Sequence, residues 1–491
     1  MGHILSLDQG TSSSRAMLFD VEGAIVASAH REFPQIYPQA GWVEHDPVTL
    51  AETQIAVARE VLNAAPGTVA GIGIANQRET TIVWDRKTGQ PVYNAIVWQD
   101  SRTAGHCEQL RRDGVEDMVR ARTGLLLAPY FSATKIAWIL DNVEGCRSQA
   151  EAGKLAFGTV DSWLAWTLTR GAEHVTDMTN ASRTLLFDIV RGEWDDDLLR
   201  LFGIPRSMMP DVVWSSGQVA TTTIPELGGI AIAGIAGDQQ AALFGQLCLE
   251  PGQAKTTYGT GCFLLRHIGE AFRLSDHRLI TTLACSPGRK LEYALEGSVF
   301  VGGAVVQWLR DNLHFIDHSA EVRELAASVA DNGGVVLVPA FTGLGAPHWD
   351  PSASGLLIGL RRETQRGHIA RAAVESIAFQ VADLAAAMVS DTGQPFAAMR
   401  VDGGGAVDDS MLQFQADLLG IPLERPAIVE TTALGVAYLA GLAMGVWPDT
   451  ASLSAHRRIA KRFEPQTDRT TSLAQWNRAV ERAKHWTGDA A

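Results

Sequence analysis

The chain is short of several things that would have assigned it quickly. It has five cysteines in 491 residues, Cys107, Cys146, Cys248, Cys262 and Cys285. Their number is odd, their spacing wide, and no C-x-x-C occurs, so neither a disulfide framework nor a zinc site is expected and a reducing cytoplasm is. No basic segment followed by an apolar run opens the chain, so no signal peptide is read there. No uninterrupted apolar stretch approaches the ~18 residues of a membrane span. Met1–Ser6 fits a loose myristoylation pattern, but His3–Leu7 reads better as a core strand. Positive charge is in deficit: Lys+Arg is 41 against Asp+Glu 55, a formal net charge of −14. That balance argues against a nucleic-acid binder and against attraction to an anionic membrane. Two nucleotide signatures are also missing. Gly153-Lys154 lacks the earlier glycine and the hydroxyl of a Walker A loop, and Gly71-Ile72-Gly73 lacks the third glycine of a dinucleotide fingerprint. No low-complexity segment or long charge block is found.

What is present is an α/β chain long enough for two to four domains. Ile4–Leu7 runs into Asp8, then into the small polar turn Gln9–Ser14, then into a second strand over Arg15–Asp20. Asp46-Pro47 is a helix start, with Leu50, Ile55, Ala58 and Leu62 at helical spacing behind it. Val69–Ile74 reads as a buried strand leading to Asn76–Thr80. The second half repeats the opening pattern, with strand-like Ala254–Tyr258, the turn Gly259-Thr260-Gly261, and strand-like Cys262–Leu265. The Pro-Gly segment 246–253 lies just before this repeat and is taken as the domain boundary. Ile369 through Met388 predicts a long buried helix ended by Gly393, and Leu473, Trp476 and Val480 mark a last one.

Two Gly/Thr/Ser turns facing each other across a cleft could grip a triphosphate with backbone N–H groups and hydroxyls. Asp8 stands where a carboxylate can hold Mg²⁺ directly or through water, and Arg15 could neutralise a phosphate. A merely structural hairpin turn is the rival for either turn alone; the pairing favours phosphate binding. Gly403-Gly404-Gly405 after Arg400–Asp402 forms a tight loop on which an adenine or ribose could lie flat, with Asp408–Ser410 as a cap for the helix that follows. Gly237-Asp238-Gln239 is the sharpest site. An apolar run delivers one carboxylate to a strand mouth, where it could take a proton from an attacking hydroxyl or simply cap the next helix. Arg78-Glu79 suits a substrate with neighbouring hydroxyls, its rival being a surface ion pair. Trp98 and Tyr130 could wall a small pocket or belong to the core.

In order along the chain, Leu7–Arg15, Gly41–Pro47, Asn76–Thr80, Tyr130–Trp138, Thr179–Thr184, Gly237–Leu243, Tyr258–Phe263 and Gly345–Pro351 resemble the FGGY carbohydrate kinases. Asn76–Thr80 and Thr179–Thr184 resemble the branch that acts on glycerol. The resemblance implies two actin-like (ribonuclease H-like) ATPase domains flanking a central catalytic cleft. Residues 1–250 would carry most of the glycerol site, and 251–491 most of the nucleotide site plus a C-terminal helix. It implies transfer of the ATP γ-phosphoryl group to glycerol, the first step of glycerol catabolism, with Asp238 as general base. Arg78, Glu79, Tyr130, Asp238 and Gln239 would bond glycerol, with Trp98 and Phe263 against its carbon edge. Thr11, Ser12, Ser13, Arg15 and Thr260 would bind phosphates, Gly303, Gln307, Gly404 and Asp408 the rest of the nucleotide, and Asp8 would position Mg²⁺. A homodimer or homotetramer in the cytoplasm is implied, with no nucleic-acid partner and no membrane insertion. A kinase for another polyol or ketose, or an actin-like ATPase module, is the alternative. Two departures stand out. Asp408 replaces the family's usual Asn, putting adenine affinity in doubt. The stretch Ser215–Gly237 lacks any Lys, Arg or His, which predicts no inhibition by a sugar bisphosphate and no activation by phosphohistidine in that loop.

Overall fold

The computed structural model describes residues 2–65 and 67–487; Met1, Pro66 and 488–491, which the Met1–Ser6 pattern and the ends of the expected domains include, lie outside the described residues. The first sheet is built from β1 (His3–Gln9), β2 (Ser13–Phe19), β3 (Ile25–Glu32), β4 (Val69–Asn76), β5 (Ser216–Thr221) and β6 (Ala231–Gly237), in spatial order β5-β6-β4-β1-β2-β3. β1, β4 and β6 run parallel, and β2, β3 and β5 are antiparallel to their neighbours. Ile4, Leu5, Leu7, Ile72, Ile74 and Ile232 are fully buried. That explains why these strands read as apolar runs and do not alternate: a parallel sheet is covered on both faces.

The second sheet repeats the plan. β7 (Ala254–Tyr258), β8 (Cys262–Gly269), β9 (Ile280–Leu283), β10 (Tyr293–Val299), β11 (Met399–Asp402), β12 (Leu423–Pro426) and β13 (Ile459–Phe463) lie in the order β9-β10-β8-β7-β11-β12-β13. The meander β7-β8-β10 is antiparallel, β11 and β12 are parallel to β7, and β13 closes the edge antiparallel. The meander β1-β2-β3 with parallel β4 and β6 therefore has a counterpart strand for strand. This is the two-domain actin-like arrangement expected from the sequence.

Helices cover the sheets. α1 (Pro47–Ala64) packs on β1–β3 and starts as read, with the Asp46 carboxylate accepting from the N–H groups of Val48 and Thr49. α2 (Asp238–Gly245) follows β6 directly. α3 (Ala304–Asp311), α4 (Arg366–Thr392), α5 (Asp409–Leu419) and α6 (Thr431–Ala443) belong to the second half of the sequence. α4 is long and apolar enough to cross a bilayer by composition, but 78% of its apolar window is buried inside the protein. It is the core helix anticipated over Ile369–Met388, and Gly393 ends it in the left-handed conformation at φ 67°. α7 (Thr470–Ala483) packs by stacking Trp476 on Phe379, with ring centroids 5.1 Å apart.

α6 crosses over and packs on the first sheet, against β1, β4, β6 and α2. Only glycine allows that approach. A Cβ on Gly73 would stand 2.2 Å from the Val436 carbonyl oxygen, and one on Gly435 1.9 Å from that of Ala241.

Candidate active site

The C-terminal ends of β1, β4 and β6 lie in register, with Gln9 opposite Asn76 and Asn76 opposite Gly237. Ligands of open α/β sheets bind outside such ends. Here each strand delivers chemistry: β1 carries Asp8, β4 leads to Arg78 and Glu79, and β6 hands over to Asp238.

Arg78 and Glu79 are no surface pair. They are 3% and 1% exposed. Arg78 donates two parallel hydrogen bonds to Glu296, at 2.6 and 2.8 Å, and a third to Gln240 at 3.1 Å, while its Nε lies 3.1 Å from Asp238 Oδ1. Glu79 accepts from Arg183 Nε at 2.6 Å, and Arg183 also donates to Glu296 at 3.1 Å. Lys255 donates to Gln239 Oε1 at 2.5 Å and Thr257 Oγ1 at 2.8 Å. Three cations, Arg78, Arg183 and Lys255, thus interleave with three carboxylates, Glu79, Glu296 and Asp238. Burial would raise the Glu296 carboxyl, but Arg183 and Arg78 overcome it and hold the group at about 2. Burial pushes Lys255 down to about 8. Glu79 sits at φ 62°, a strained conformation for a side chain of its size, as is common at functional sites.

Asp238 is the member of this network that reaches the cleft: its side chain is 30% exposed, against 0–2% for Arg78, Glu79, Arg183 and Glu296. Gly237, not Asp238, is the N-cap of α2, and Asp238 opens the helix with its carboxylate accepting the N–H of the next residue, Gln239, at 2.7 Å. The Asp238 carboxyl lies above the usual carboxylate range through burial, opposed by Arg78 and Lys255. Trp98 meets Tyr130 edge-on at 5.5 Å and Phe263 at 6.4 Å. Phe263 comes from β8, so both halves build this aromatic wall. The Trp98 indole donates to Thr11 Oγ1 at 2.9 Å, tying the wall to the first turn.

At that turn Gly10 N–H donates to the Ser13 carbonyl, and Ser14 Oγ donates to Gln9 Oε1 at 3.0 Å. Ser12 is exposed and Ser13 buried. Arg15 pairs with Glu430 at 2.8 Å. Asp8 is 9% exposed, and burial pushes its carboxyl up to about 7 against the pull of Arg15, with Asp238 and Glu430 adding to the rise. No group of three or more His, Cys, Asp or Glu side chains forms a ready metal cage among the described residues. Mg²⁺ needs none, since it keeps several waters and takes one or two carboxylates plus phosphate oxygens. The Asp8 carboxyl, with Asp238 and Glu430 close enough to raise it, offers oxygen ligands of the kind that ion takes.

The second turn works through backbone. Gly303 N–H donates to the Gly259 carbonyl at 2.8 Å, and Gly302 N–H to that of Thr260 at 2.9 Å. Gln307 lies one turn further along α3, its N–H bonded to Gly303. Thr260, Gly303 and Gln307 are thereby brought together. In the triple glycine, Gly403 and Gly405 are the constrained positions, with a Cβ on Gly403 falling 2.5 Å from the Tyr258 carbonyl oxygen, whereas Gly404 faces open space. Asp408 is the N-cap of α5, and one oxygen accepts from Ser410 N, Met411 N and Ser410 Oγ.

Arg183, Lys255, Glu296 and Asp402 were not singled out from the sequence. Lys255 and Glu296 each carried a signal, a lone charge inside a strand whose other residues are apolar or small.

A family model for the N-terminal domain of the FGGY family of carbohydrate kinases matches residues 3–245, and one for its C-terminal domain matches 254–444. The chain belongs to the FGGY family of carbohydrate kinases. A glycerol kinase of Koribacter versatilis is 58% identical over 492 residues, covering 99% of each chain. One of Acidovorax sp. is 58% identical over 494 residues, covering 98% of this chain and 99% of the other. Among solved structures, the Plasmodium falciparum glycerol kinase with ADP superposes with a TM-score of 0.92 at 36% identity, over 98% of both chains. A xylulose kinase from Lactobacillus acidophilus reaches 0.87 at 22% identity over 98% and 97%, a likeness of FGGY fold.

Proposed function

We propose that this protein phosphorylates glycerol with MgATP, giving sn-glycerol 3-phosphate and ADP, the first step of glycerol catabolism. The observation that carries the reading is the partly exposed Asp238 carboxylate at the mouth of β6, fixed by Arg78, in a network whose Arg183 lies 5.6 Å from the Tyr130 ring of the aromatic wall. Glycerol offers little apolar surface, so its affinity must come from directed hydrogen bonds. Arg78, Glu79, Tyr130, Asp238 and Gln239 supply donors and acceptors on a rigid frame, and the rings cover the carbon edge. Asp238 takes the proton of the attacking hydroxyl, and burial makes it a better base than a free aspartate. Phosphoryl transfer otherwise asks for positioning and charge stabilisation.

Phosphates belong to Thr11, Ser12, Ser13 and Arg15 from one turn and Thr260 from the other, and the rest of the nucleotide to Gly303, Gln307, Gly404 and Asp408. Asp8 would hold Mg²⁺, which when bound neutralises charge on the phosphate oxygens. Residues 1–250 and 251–491 act as the two jaws, hinged near 246–253; the end of α2 at Gly245 and the start of β7 at Ala254 support this. Closure of the jaws excludes water, the competing nucleophile. The enzyme is read as cytoplasmic, which its five buried, unpaired cysteines favour, and as a homodimer or homotetramer, to be checked by sedimentation. The deciding experiment supplies ATP, Mg²⁺ and glycerol and identifies the product with a stereospecific glycerol 3-phosphate dehydrogenase. Formation of sn-glycerol 3-phosphate is expected; ADP without that product contradicts the reading.

A further inference from the structure

Lys255 lies in β7 and is fully buried. A buried ammonium group is costly unless acceptors meet it, and its direct partners are two neutral oxygens. One is Thr257 Oγ1 at 2.8 Å, two residues on and so on the same face of β7. The other is Gln239 Oε1 at 2.5 Å, which belongs to α2 in the first half of the chain.

The direction of each hydrogen bond in this chain is forced. Gln246 Nε2 and Thr431 Oγ1 donate to one oxygen of Asp402, each at 2.8 Å, and Thr257 Oγ1 gives its only proton to the other at 2.5 Å. Having given that proton away, Thr257 meets Lys255 as an acceptor, which suits a group with three donors and no lone pair. The same rule decides Gln239. Its amide oxygen accepts and its amide nitrogen donates, so only the oxygen can face Lys255, and Nε2 is turned away. Gln239 is 6% exposed; its Nε2 bonds no described residue and is not sealed from solvent. The next residue toward the N-terminus is Asp238, whose carboxylate accepts the Gln239 backbone N–H at 2.7 Å.

We infer that Lys255 is a positioning residue that sets what the polyol site accepts: by holding the Gln239 amide oxygen inward, it makes the outward end a donor, which selects a hydroxyl oxygen and turns away an ammonium group. The inference rests on the glycerol-kinase reading, in which Gln239 bonds the polyol. A hydroxyl offers the amide two lone pairs, and a protonated amine offers none. The Lys255 charge, near enough to pull the Asp238 carboxyl down, adds to the exclusion of a cation. A side chain of the second half thus fixes the polarity of a substrate group in the first.

The test is a double-mutant cycle on the full chain, with wild type, Lys255→Met, Gln239→Met and the double variant assayed for glycerol-dependent ADP release. Each single variant should raise the glycerol KM about fivefold, the worth of one hydrogen bond. The double variant should go no more than about twofold beyond the larger single effect, because Lys255 acts through Gln239. The ATP KM should stay within about twofold throughout. Additive effects, or glycerol and ATP KM rising together, would make Lys255 a merely structural group and overturn the inference. Gln239→Glu covers the case in which Lys255→Met folds poorly, since it leaves Lys255 partnered and exchanges the outward donor for an acceptor. The probe is 3-amino-1,2-propanediol as a competitor of glycerol. It should compete poorly in wild type and, relative to glycerol, about fivefold or more better in Gln239→Glu; an unchanged ratio overturns the inference. A wild type with no glycerol-dependent ADP release overturns the glycerol-kinase reading and the inference with it, whereas an active wild type with an additive cycle overturns the inference alone.

Discussion

The two halves share one strand plan and use it in opposite ways. The first turn, Gln9–Ser14, is surrounded by side chains: Asp8, Thr11 bonded to Trp98, and Ser14 bonded to Gln9 and Thr53. Behind it stands the buried network of Arg78, Glu79 and Arg183, which Glu296 and Lys255 of the second half complete. The second turn, Gly259–Gly261, is defined by missing side chains, with Gly302, Gly303, Gly403 and Gly405 letting backbone meet backbone. The difference teaches where specificity lies. A small neutral polyol must be recognised by fixed charges, whereas a nucleotide brings its own charge and area and needs room for its backbone cradle.

Asp238→Asn attacks the charged half at its reactive end. It should lower turnover by about 10²–10⁴, the usual worth of a general base, with ADP affinity unchanged by calorimetry. Survival of activity would reduce Asp238 to a positioning group. Arg183→Met attacks the frame. It leaves Glu79 without its 2.6 Å partner and should cost about 3–5 kcal/mol in chemical denaturation, because an uncompensated charge stays buried. An equally stable variant would mean that the network relaxes or takes up water.

Gly303→Ala probes the other half. Its Cβ would fall 2.8 Å from the Gly259 carbonyl oxygen. The ATP KM should rise about tenfold, or ~1.4 kcal/mol, with the glycerol KM nearly unchanged. A parallel rise in both would erase the division of labour drawn here.

The smallest effect concerns a buried acid of the first half away from the cleft. Burial, with Asp177 nearby, pushes Asp161 up to about 7, against hydrogen bonds from Thr159 and Thr176. Between pH ~4 and ~7 the folded state therefore holds a proton that the unfolded chain has released, and stability falls as pH rises through that window. Asp161→Asn should flatten the fall and gain about 1–2 kcal/mol at pH 8 over wild type, with little difference near pH 4. Identical pH profiles for the two proteins would show that Asp161 ionises at no cost.

The sequence made the local parts of this architecture legible. Both hairpins, the Asp46-Pro47 helix start and the buried helix ended by Gly393 are fixed by residues close together in the chain. Arg78-Glu79 and Asp238 could be located because each interrupts or follows an apolar run. Their partners could not. Arg78 meets Glu296 across 218 residues and Glu79 meets Arg183 across 104, and no local spacing encodes such pairs. The crossing of α6 onto the first sheet was equally hidden, since Gly73, Gly234 and Gly435 show their purpose only when the helix is in place.

The most direct test of the central claim is a comparison of kcat/KM for ADP release by the full chain with glycerol, xylulose, gluconate and ribulose at fixed MgATP. Glycerol should lead the panel by orders of magnitude, with little ADP formed when no polyol is present. Equal or higher kcat/KM for a ketose, or ATP turnover indifferent to glycerol, would contradict the account.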